Sequence, residues 1–125
     1  MSDLLRFPEN RQKRVDNLRD LASRMGIEPG IWETANMAPL DRYTIEDLKQ
    51  KIEVLGEMLT EKQQQLERVN EQVKNLDIIP QNVETRIKAM ESEINTISFQ
   101  LQLRQAHLLL KEHNVETNPE GYGEE

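Results

Sequence analysis

The chain contains no cysteine. That excludes disulfides and thiolate metal sites and fits a reducing compartment. Aromatic residues make up only 4% of the sequence against 31% charged residues, the composition of an extended helical protein rather than of a core filled by large rings. No apolar run approaches the ~20 residues that cross a bilayer. The opening Met-Ser-Asp-Leu-Leu-Arg-Phe-Pro does not supply the roughly 7–15-residue apolar core of a secretion signal. The expectation from these absences is a cytoplasmic protein with no membrane partner.

Reactive constellations are equally scarce. There is no glycine-rich phosphate loop, no nucleophile elbow and no paired histidine and carboxylate. The two histidines, His107 and His113, are six apart and fall on different faces of a helix, which is not a ligand spacing. No catalytic residue, metal or cofactor is therefore expected, and the protein is not read as an enzyme.

Negative charge dominates, with 23 acidic against 16 basic side chains and a net charge of −7. This argues against general affinity for nucleic acid, but the distribution is uneven. Residues 1–25 carry six basic side chains against four acidic ones, leaving −9 for the remainder. Arg11, Lys13, Arg14 and Arg19 are the candidates for phosphate contacts in that stretch; a solvated helix face explains them as well.

What is abundant is apolar residues in a 3.5-residue repeat. Alternating steps of three and four from Ile45 run through Leu48, Ile52, Leu55, Leu59, Lys62, Leu66, Val69, Val73 and Leu76. They continue through Pro80 to Val83, Ile87, Met90, Ile94, Ile97, Leu101, Arg104, Leu108, Lys111 and Val115. Seventeen of those 21 positions are aliphatic or Met, where the chain average would give about eight. Such a seam must be buried against another helix, so a coiled coil is predicted. Lys62, Arg104 and Lys111 interrupt it. Either their stems are tolerated with the charges reaching water, or they set register.

Taken in order, the chain divides into three segments. Residues 1–43 form an N-terminal segment, expected to be flexible up to Pro8. A helix capped by Asn10 follows, carrying Val15, Leu18, Leu21, Ala22 and Met25 and ending at Gly26. Residues 27–43 are expected to be irregular, with at most a single turn near 30–34, and Trp32 and Tyr43 plug the junction. Residues 44–115 form the coiled coil, with Thr44 capping its first helix and Asp47 at the capping-box position. Gly56 inside that helix marks either close packing or a hinge. Residues 116–125 are expected to be a disordered acidic tail.

Pro80 decides the topology, because a proline in a helix interior costs ~3 kcal/mol or more. With Asn82 as a second N-cap, the prediction is an all-α fold. A long antiparallel coiled-coil hairpin turns near 78–82, and the short N-terminal helix packs at its open end. The register pairs Val73 with Met90, Val69 with Ile94, Leu66 with Ile97, Leu55 with Leu108 and Leu48 with Val115. The rival is one long helix, kinked at Pro80, in a parallel coiled coil, which the unbroken heptad phase would also allow.

A second stripe on the last helix, Phe99, Leu103, Ala106 and Leu110, exceeds what one seam requires. It is either covered by the N-terminal helix or forms an oligomer or partner interface. The leading functional reading is a coiled-coil assembly or scaffold protein, with itself or another protein as partner. The alternatives are a nucleic-acid-associated regulator dimerised by the coil, and a helical-hairpin chaperone or adaptor.

Overall fold

A computed structural model describes residues 2–37, 40 and 42–113, with side chains from residue 12 onward. Four helices account for most of it, α1 (Ser2–Arg24), α2 (Pro29–Met37), α3 (Ile45–Lys74) and α4 (Gln81–Glu112), and no strand occurs among the described residues. The two long helices, α3 and α4, pack together. The predicted acidic tail lies outside the described residues.

Helix α1 begins at Ser2 rather than near Asn10, which corrects both the flexible start and the cap. The φ that proline imposes is itself helical, so Pro8 sacrifices one backbone bond without ending the helix. The predicted stop holds in atomic detail. Gly26 adopts φ 85°, its N–H donates to the carbonyl of Ser23 at 3.1 Å, and the Ile27 N–H donates to that of Ala22 at 2.9 Å. This is a Schellman motif, which needs a residue without Cβ at its left-handed position.

The segment expected to be irregular contains α2, nine residues long. Pro29 suits the first helical position, where no N–H is needed, and the Glu28 carbonyl accepts from Ile31 and Trp32, both at 3.0 Å. Ile31, Trp32 and Ala35 share one buried face. Leu40 to Thr44 then connect to α3. A reciprocal capping box starts that helix, with the Asp47 N–H donating to Thr44 Oγ1 at 3.1 Å and the Thr44 N–H to Asp47 Oδ2 at 3.2 Å.

Helicity stops at Lys74 and resumes at Gln81. The continuous kinked helix is thereby excluded, since residues 75–80 are not helical. The cap of α4 is Pro80 rather than Asn82, because the Pro80 carbonyl accepts from Val83 at 3.0 Å and Glu84 at 3.1 Å. Proline disfavours α geometry at Ile79, the residue before it, and the non-helical stretch extends from there back to Asn75.

The chain divides into two compact units. One comprises the residues up to Lys51 with α4 from Gln102 onward; the other is Ile52–Leu101. The first has a closed hydrophobic core of Val15, Leu18 and Ala22 from α1, Ile27, Ile31, Trp32 and Ala35 from the α2 region, and Ala106, Leu109 and Leu110 from α4. In the second, Leu55, Met90 and Ile97 are buried. Around them Ile52, Leu59, Leu66, Val69, Val73, Ile87, Ile94 and Leu101 are half-buried.

Candidate interaction surfaces

Helix α4 offers two apolar faces, and the structure treats them differently. Ala106 and Leu110 are fully buried (both 0% exposed) within the first unit's core, and Leu103 packs partly buried against it. Three of the four residues of the second stripe are thus covered by the chain's own α1 and α2. Phe99 belongs to the other unit and is 44% exposed. Leu109, absent from both stripes read in the sequence, is buried in the same core. It lies one helical turn from Ala106, which is the signal that could have found it.

The three cations that interrupt the seam all have partners. Lys62 Nζ lies 3.0 Å from Glu93 Oε2 on the neighbouring helix. The predicted register sets position 62 opposite Leu101, so this contact lies about one heptad nearer the break between helices. Arg104 stacks on the Tyr43 ring, 4.8 Å from its centroid, and donates to the Tyr43 hydroxyl at 3.3 Å. Lys111 donates to the Leu40 carbonyl. Arg104 and Lys111 therefore hold the segment that leads from α2 into α3. Cation–π stacking and hydrogen bonding to a charged donor make these stronger than surface ion pairs.

Of the candidate phosphate contacts, the Arg11 side chain lies outside the described residues, while Lys13, Arg14 and Arg19 are exposed. Arg14 is engaged within its own unit, with Nη1 donating to the His113 carbonyl at 3.2 Å.

Gly56 is neither packed closely nor left-handed, since an added Cβ would meet nothing within 4 Å. It lines an open groove along α3, with Ile52 and Thr60 beside it and Glu53, Glu57 and Glu61 at the edges. The close packing offered as a reason for this glycine is absent. At the break between the long helices, Leu76, Ile78 and Ile79 are exposed, Ile78 at 82%.

The residue that sequence reading missed is His107. Weighed only as half of a ligand pair, it is 5% exposed in the first unit, and its Nε2 has no hydrogen-bond partner. Burial lowers its pKa below the ordinary histidine value, and the positive charge of Arg104 lowers it further. Its position four after Leu103 and three before Leu110 was a legible sign that it shares their side of the helix. No group of three or more metal-donor side chains exists among the described residues, and no described helix is long and apolar enough to cross a membrane. No family model, curated protein or solved structure matches the chain.

Proposed function

We propose that this protein is a non-enzymatic coiled-coil assembly or scaffold protein. Helices α3 and α4 form its antiparallel hairpin, and its partner is a second copy of the chain or a helix of another protein. The observation that carries the reading is the incomplete burial of the seam in Ile52–Leu101. There the heptad residues are the least exposed on each helix, yet most remain half-buried, as expected where two helices leave the flanks of their seam open to a further helix. The register we assign is one heptad shorter than the spacing alone suggests. It places Leu66 opposite Met90, Leu59 opposite Ile97 and Leu55 opposite Leu101, in keeping with the Lys62–Glu93 pair.

Sedimentation equilibrium tests the assembly. The full chain is expected to associate, and Leu66→Asp, which puts a carboxylate into the half-buried seam, is expected to reduce it to a smaller species that keeps its helicity. A monomeric full chain would remove self-assembly and leave an adaptor for a different protein.

A further inference from the structure

We propose that His107 is an acid-operated release for the N-terminal helices: a proton on its buried ring weakens the docking of α1 and α2 on α4. On α4, Ala106, Leu109 and Leu110 face the core shared with α1 and α2, while Arg104 and Lys111 grip the segment at Leu40 and Tyr43. At 100° per residue, position 107 falls between those two faces, three residues after Arg104 and four before Lys111. The histidine therefore lies where α4 meets both the core and the connecting segment, flanked along its own helix by two fixed cations.

A neutral imidazole is tolerated there at the cost of one unpaired ring nitrogen. Protonation turns Nε2 into a charged donor with nothing to receive it. The charged and titratable groups on the surrounding elements give no relief. The Tyr43 hydroxyl already accepts from Arg104, Lys111 is spent on the Leu40 carbonyl, and Arg14 of α1 on that of His113. Glu28 at the start of α2 and Asp47 of α3 are exposed. Among the described residues, Arg104 is the one charge that acts on the ring, and it is repulsive. The other buried polar atom without a partner among the described residues, Trp32 Nε1, is itself a donor and cannot accept the proton's hydrogen bond.

The direction of the effect follows by linkage. The folded ring is harder to protonate than the unfolded one, so the unfolded state binds the proton more readily. The stability present above the unfolded value of about 6.5 is lost as pH falls through it toward the depressed folded value. Ordinary carboxylates titrate near pH 4, so the range between about 6.5 and 5 isolates histidine. The other histidine, His113, is exposed and serves as the control.

The test follows Trp32 emission and amide exchange of the full chain from about pH 7.5 to about 5, for the natural sequence, His107→Gln and His113→Gln. Trp32 is the only tryptophan and is 1% exposed, so undocking should shift its emission to the red and remove amide protection from α1. The natural sequence and His113→Gln should show both changes, and His107→Gln neither. An acid transition that survives in His107→Gln overturns the proposal, as does a natural chain unmoved over the range. Should His107→Gln fail to fold, the ring of His107 is titrated by NMR in the natural chain. Titration below the ordinary histidine range, in step with loss of α1 protection, supports the release; titration at or above that range refutes it.

Discussion

The two units use similar helices to opposite ends. In the first, α1, α2 and the end of α4 converge on a core where Trp32 and Leu110 are almost inaccessible, and Leu48 of α3 is as deeply buried. In Ile52–Leu101 two helices pack together, and only Leu55, Met90 and Ile97 are buried. A third element makes the difference, because a residue on a helix surface is enclosed only when neighbours flank it on both sides. Equal hydrophobicity in a heptad therefore does not mean equal burial. The closed unit is complete as one chain, whereas the open one leaves apolar surface that association can use.

Truncating one leucine in each unit gives the largest contrast. Leu110→Ala removes a side chain from a closed core and should cost ~2–5 kcal/mol, whereas Leu66→Ala, already half-exposed, should fall below that range in a dilute monomer. Urea denaturation of both variants measures the gap. Equal losses would break the comparison and imply that another chain covers Leu66. Next in effect is the register. Because the chain has no cysteine of its own, paired substitutions report without background. Val69→Cys with Ile87→Cys should form an intrachain disulfide. Val69→Cys with Ile94→Cys should not, since one heptad is ~10 Å along the axis and the Cα atoms of a disulfide lie within about 7 Å of each other. The reverse result would restore the register read from the seam. The smallest effect is at Gly56. With open space at its Cβ, Gly56→Ala should raise stability by about 1 kcal/mol through helix propensity; a loss measured in the associated state would mean that a partner helix approaches closely there.

The sequence revealed the helices better than their surroundings. The heptad phase, the Gly26 stop and the Thr44–Asp47 cap were legible because each rests on contacts within a few residues. The α2 helix was not, since a nine-residue helix is marginal alone and owes its order to the face of Ile31, Trp32 and Ala35 against distant α1 and α4. The register is harder to read for a related reason. A heptad pattern is unchanged by a shift of seven, so only the position of the break at 75–80 and the Lys62–Glu93 pair choose between neighbouring alignments. For Arg104 and Lys111, tolerance and register were both anticipated; their partners, a tyrosine ring and a backbone carbonyl more than sixty positions away, left no periodic trace. For His107 the spacing gives the side of the helix but not the depth, because a lone polar residue beside an apolar stripe reads alike whether it is buried or at the rim.

The helix α4, shared by both units, also sets an order of assembly. Contacts between α3 and α4 close short loops around the break at 75–80. The core of the other unit instead joins residues of α1 and α2 to Leu109 and Leu110, about 75 to 95 positions away along the chain. Because loop-closure entropy rises with the length closed, local pairing precedes distant pairing, and once α3 and α4 have met, the span left to close is much shorter. The expected nucleus is therefore the open unit, with the closed one condensing later. The leucine variants should then separate in kinetics as well as in stability, with Leu66→Ala slowing refolding and Leu110→Ala mainly hastening unfolding. The half of the molecule that looks unfinished at equilibrium would be the half that makes the finished one reachable.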